Sequence, residues 1–319
     1  MAASVVVMEM KHEPSMPCNT PKACSHLSPV AQAAITPLAV AAMWLRRVRD
    51  CLEGIGKPHA GAKRVHSLRV ATRRAGVAIE LIRVALKHKR CDALRKRLVD
   101  LRKSADPVRN LDVVIGHLAF ARKGTSRHKW LMAARHDRKI AIHRLQKHAK
   151  KEMKYWQLSM VSPPQLRKFT GDPDMKTSFF DGVVRMVTRV RKRWTSRRSG
   201  GWDWHRLRVA AKKARYCLEQ CRAMDPDWEP GKLTEILEKI QNQLGKLNDH
   251  KLMAIDLDAR IKAGGHGGWT GLLLSERAFV KNHKMAIHNW LTNDFFRFRR
   301  VAKRFLKHLD SAWMKSGKP

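Results

Sequence analysis

Val65-His66-Ser67-Leu68-Arg69-Val70-Ala71-Thr72-Arg73-Arg74 reads as one length of helix with two unlike walls. At about 100° per residue, His66, Arg69, Arg73 and Glu80 gather on one side, while Leu68, Ala75, Ile79 and Ile82 gather on the other. The apolar wall predicts a core behind the helix. The opposite wall offers an imidazole and guanidinium groups to whatever lies in front. The stretch recurs as Trp204-His205-Arg206-Leu207-Arg208-Val209-Ala210-Ala211-Lys212-Lys213, 139 residues on, with lysines where the paired arginines stood.

The match extends beyond those ten residues. Between 66–80 and 205–219, seven of fifteen positions are identical, and the same offset lays Arg109-Asn110 on Asn248-Asp249. Further on, Lys139-Ile140-Ala141-Ile142-His143 pairs with Lys284-Met285-Ala286-Ile287-His288 at an offset of 145, which implies a short insertion. Matched helices in both halves predict an internal duplication, with two bundles packed about a pseudo-twofold axis.

The rest of the chain supports an all-α fold. Residues 1–35, with Pro14, Pro17, Pro21 and Pro29, read as a poorly ordered leader. Thr36-Pro37 is a helix start, with Thr as cap and Pro in the first turn. Helices are expected to about Cys51, over 61–88, from Asp92 to Ser104, and from Val108 to Arg122 after a break at Asp106-Pro107. A long helix from Ser126 to Trp156 completes a first repeat over 36–156. Pro163-Pro164, Gly171 and Pro173 mark a boundary. The second repeat, 176–316, is expected to hold helices over 177–196, 203–224, 232–260, 269–291 and 294–315. No alternating strand pattern is visible.

Charge narrows the function. The 319 residues carry 66 Lys and Arg against 27 Asp and Glu, a formal +39, with 44% hydrophobic residues. Such a body has a core but repels itself, and an anionic partner relieves that repulsion. Six cysteines form no C-x-x-C or paired zinc spacing. Cys217 and Cys221, one helical turn apart, read as packing. This usage fits a reducing cytoplasm, and no apolar run is long enough for a membrane span.

Catalytic motifs are sparse. There is no phosphate loop and no H-E-x-x-H, and Asp256 and Asp258 sit two apart on a helix, pointing in different directions. No metal site or cofactor is expected, since the neighbours of His66 and His205 at the following turns are cations. A protonated imidazole beside guanidiniums suits phosphate oxygens better. The first organising helix lacks aromatic residues on which bases could stack, which favours a ligand made of phosphate alone over nucleic acid.

The pattern His-x-x-Arg-Val-Ala-x-Arg-Arg, at His66 to Arg74, resembles the signature of the CHAD domain, the conserved histidine α-helical domain. His205 to Lys213 and Leu244-Gly245-Lys246-Leu247-Asn248-Asp249 resemble its second half. The likeness covers roughly residues 37–315. It implies two antiparallel helical bundles around a basic central groove that binds inorganic polyphosphate, association with polyphosphate granules in the cytoplasm, and no catalysis. It marks His66, Arg69, Arg73, Arg74, His205, Arg208, Lys212 and Lys213 as phosphate contacts. Helical stripes add Arg138, Arg185, Arg189 and Arg215 as second-rank candidates. Where relatives tend to carry Arg-Asp-Leu-Asp, this chain has Arg109-Asn110-Leu111-Asp112, and nothing here matches the Glu-x-Glu-x-Lys of a fused triphosphate enzyme. The alternatives are a nucleic-acid-binding protein using the same basic surface, with weak nucleic-acid binding possible in any case, or a metal-dependent phosphohydrolase. Oligomeric state is not legible.

Overall fold

The computed structural model describes residues 36–57, 60–86, 89–158, 173–195, 197–198, 201–224, 230–264 and 268–316. Among these are eight helices: α1 (Pro37–Gly56), α2 (Ala62–Leu86), α3 (Lys89–His117), α4 (Ser126–Leu158), α5 (Pro173–Thr195), α6 (Trp204–Met224), α7 (Gly231–Lys262) and α8 (Gly268–Ser316). Arg197–Arg198 (β1) and Gly201–Trp202 (β2) add a two-residue antiparallel ladder that the sequence reading did not foresee. The fold is all-α. The leader and the Pro163-Pro164 boundary lie outside the described residues.

The first helix starts as its sequence dictates: Thr36 Oγ1 accepts the Ala39 amide at 3.2 Å, and Pro37 fills the first turn, where no amide donor is needed. Leu38, Leu45, Val48, Leu52 and Ile55 then enter a core shared with Leu68, Ala75, Ile79 and Ile82 of α2, Leu98 and Leu101 of α3, and Leu145 of α4. A second core joins α5, α6, α7 and α8 around Val183, Trp194, Leu207, Leu218, Leu237, Leu244 and Phe298. Val77 and Leu81 of α2 belong to this second core, so α2 is a wall of both. The crossing of α2 and α5 is close: a Cβ added at Gly182 would come within 2.5 Å of Leu81 Cδ2. A third cluster ties the α3–α4 end to the α7–α8 end through Val114, Trp130, Leu131, Met253, Leu257 and Trp269. Buried Cys217 and Cys221 pack on α6, and burial raises the Cys217 thiol well above its ordinary range. No helix of the described residues is long and apolar enough to cross a membrane.

Two expected breaks are absent. Helix α3 runs through Pro107 without interruption. Leu101, Ala105 and Val108 are buried on either side of the proline and hold both lengths of the helix on one core. Pro107 and Lys103 are exposed, so the carbonyl that loses its donor sits on the wet side. Likewise α8 is one 49-residue helix across Thr292 and Asn293. Leu291 and Phe298, both buried, seat it against Trp194, whose Nε1 donates to the Leu291 carbonyl at 3.1 Å.

Candidate functional site

The paired basic residues of the two organising helices separate by one step of helical rotation. Arg74 and Lys213 turn into a seam between α2 and α6. Arg74 lies 2.7 Å from Glu219, and Lys213 lies 2.7 Å from Glu80. The two bridges are reciprocal at the 139-residue offset, since Arg74 corresponds to Lys213 and Glu80 to Glu219. The Arg74 guanidinium also lies over the rings of Trp44 (4.7 Å) and Tyr216 (5.3 Å), and its carbonyl accepts from Gln220 Nε2 at 2.9 Å. Burial favours the neutral form of Glu80, yet the Lys213 hydrogen bond and the Lys213 and Arg189 charges outweigh it and hold the carboxyl below its ordinary value.

Arg73 and Lys212 turn the other way, towards each other. The Arg73 charge acts on Arg69, Arg102, Arg208 and Lys212 alike, and on His66 beside them. Lys212 is surrounded by Arg73, Arg208, Arg215 and Arg69, and burial first, then those charges, pushes its ammonium well below the usual lysine range. Burial and Arg73 lower Arg69 to about 10 against the opposing pull of Asp106, which sits 2.7 Å from its guanidinium. Arg208 is likewise lowered by burial and Arg73, with Asp249 opposing. Two carboxylates therefore face at least five cations. The Nε atoms of Arg69 and Arg208 are buried with no hydrogen-bond partner, a cost that an acceptor oxygen would remove.

The two histidines differ. Both imidazoles are exposed, yet the protein around His66 and the charges of Arg109, Lys212, Arg69 and Arg73 depress it to about 4. His205 lies exposed, beside the Arg206–Asp203 bridge at the start of α6. The structure brings His66, Arg69, Arg73, Arg208 and Lys212 together; it sets Arg74 and Lys213 in the seam.

The second-rank residues are held elsewhere. Arg138 donates to Asp112 at 2.5 Å and to the Ala60 carbonyl at 3.4 Å. Arg189 bridges to Glu80 at 3.4 Å, and Arg185 is exposed on the same helix. Arg215 pairs with Glu219 at 3.5 Å while its charge still reaches Lys212. Sequence reasoning missed Arg102 and Arg109, which share one stripe of α3 with Asp106, and Lys251 of α7, which adjoins Arg208 and has Lys284 of α8 beside it. The expected break at Pro107 had split that α3 stripe.

Among the described residues, no group of three or more His, Cys, Asp or Glu side chains is placed to hold a metal ion. Asp256 accepts from Trp130 Nε1 and Arg260, and Asp258 pairs with Lys262 and Arg277, so the two carboxylates do serve different faces.

No curated protein matches the chain. Its fold is similar to the crystal structure of the CHAD domain from the plant Ricinus communis, with a TM-score of 0.61, 15% identity, and coverage of 83% of this chain and 90% of that one. The sequence model of the CHAD domain matches residues 44–257. The chain belongs to the CHAD domain family.

Proposed function

We propose that this protein binds inorganic polyphosphate, without catalysis, in the cationic cluster between α2 and α6. The observation that carries the reading is the facing of His66, Arg69 and Arg73 on Arg208 and Lys212, with Asp106 and Asp249 as the opposing carboxylates. Such a group is costly when empty, and a ligand with a negative charge at every repeat offsets the cost along its whole length. Arg102 and Arg109 add charge beside Arg69, Arg73 and His66, and Lys251 adds it beside Arg208, an extent that suits a chain of phosphates better than a single ion. The buried guanidinium Nε atoms supply oriented donors. The reciprocal Arg74–Glu219 and Lys213–Glu80 bridges support reading the halves as copies about a pseudo-twofold axis, with the basic groove between them. Association with cytoplasmic polyphosphate granules follows from that ligand.

The test is a competition at roughly physiological salt, where nonspecific polyanion binding is weakened. Labelled long-chain polyphosphate is bound and challenged with excess single-stranded DNA and RNA, for the native chain and for Arg73→Ala/Arg208→Ala/Lys212→Ala. The native chain is expected to keep its polyphosphate and the variant to lose it. Equal binding by the variant, or ready displacement by nucleic acid, overturns the reading.

A further inference from the structure

The C-terminal part of α8 carries a second basic face, built differently from the inner cluster. Between Phe295 and Leu309 the sequence has six Lys and Arg and no acidic residue. Asp294, just before, is engaged by Lys239 at 3.5 Å. Leu291, Phe298, Ala302 and Leu309 are buried in the second core, and Trp194 stacks on Phe298 at 4.7 Å, which fixes the rotation of the helix. Opposite that buried side, Phe296, Arg299, Arg300, Lys303 and Arg304 fall within an arc of roughly 140° and are all exposed. No ion pair among the described residues engages these four cations.

At the centre of this arc stands Phe296, 73% exposed. The other nearby large apolar side chains, Phe295, Val301, Phe305 and Leu306, pack on the core. One aromatic ring among guanidinium groups is a poor membrane anchor, since it buries too little apolar surface. It is a good stacking platform. A double helix keeps its base faces stacked inside and has nothing for such a ring, whereas a single strand offers a base face beside each phosphate. Arginines flanking the ring can clamp phosphate oxygens bidentately and stack on neighbouring bases.

We propose that the outer face of α8 around Phe296 binds single-stranded nucleic acid, separately from the inner cluster. The face begins about 18 Å along the helix from Lys284. It does not depend on what the inner cluster binds.

The test uses the full chain and a fluorescent single-stranded oligonucleotide, with long-chain polyphosphate and phosphatidylglycerol vesicles measured in parallel. Phe296→Ala is expected to weaken oligonucleotide binding about tenfold, and Phe296→Tyr to retain it. Arg300→Ala/Lys303→Ala/Arg304→Ala should weaken it further and flatten its salt dependence. Polyphosphate affinity should stay within about twofold in both α8 variants, while Arg73→Ala/Lys212→Ala leaves oligonucleotide binding intact. Unchanged oligonucleotide affinity in Phe296→Ala overturns the proposal. So does loss of that affinity in the inner variant alone, or an α8 effect confined to vesicle binding.

Discussion

Arg73 and Arg74 are neighbours in sequence, as are Lys212 and Lys213, yet each pair divides between two environments. One member of each finds a carboxylate across the seam; the other joins a cluster in which cations outnumber the carboxylates. The chemistry of the residues is the same, and about 100° of helical rotation decides whether a cation holds the protein together or strains it. A basic doublet is therefore two signals, and only the member facing away from the carboxylates is available to a ligand.

Four experiments press on this division. Arg74→Ala should destabilise the protein by about 2 kcal/mol in urea denaturation, because it leaves half-buried Glu219 with the longer Arg215 contact at 3.5 Å and removes the cation between Trp44 and Tyr216. Arg73→Ala should leave stability equal or higher. If the two variants melt alike, the distinction between seam and cluster collapses. Lys212→Met should stabilise the empty protein by about 1–2 kcal/mol while weakening polyphosphate about tenfold and lowering the salt slope by about one.

The third experiment is proton uptake. His66 stands at about 4 in the empty protein against an ordinary 6.5. Between those values the unfolded chain holds the extra proton, so this group makes stability rise with pH across that window and leaves it flat above. A bound row of phosphates raises the imidazole's pKa, so binding at about pH 5.5 should take up a proton, and affinity should strengthen as pH falls through about 6.5. Calorimetric titration in two buffers of different ionisation enthalpy reads this directly; identical observed heats in the two buffers would falsify the role of His66. The smallest effect is expected from His205→Ala, which should change polyphosphate affinity by less than about twofold, because His205 sits exposed beside an already neutralised arginine.

Much of the fold was legible in the sequence because helix periodicity and caps are local. Thr36-Pro37 opens α1 as read, and the apolar sides of both organising helices are buried. The misreadings at Pro107 and Asn293 share one cause: tertiary packing of Leu101, Val108, Leu291 and Phe298 outweighs a local helix-breaking signal. For the candidate site, the motif singled out α2 and α6 but could not sort Arg73 from Arg74. The partners that sort them, Glu219 and Glu80, lie 145 and 133 positions away from Arg74 and Lys213. Arg102, Arg109, Lys251 and Lys284 were hidden for the same reason. Motif and repeat positions had already picked out Arg109 and Lys284, but not as neighbours of the cluster, which only the packing of α3, α7 and α8 beside α2 and α6 reveals.

The crowding around Lys212 reaches beyond binding. With no anion bound, Arg73, Arg208, Arg215 and Arg69 all act on a buried ammonium, and under the proposed function such a molecule is expected to open to proteases more often than one with the site filled. Occupancy closes that route. On the function proposed above, the lifetime of the polypeptide is tied to the supply of that polyanion, so its abundance in a cell is expected to rise and fall with that supply even at a constant rate of synthesis.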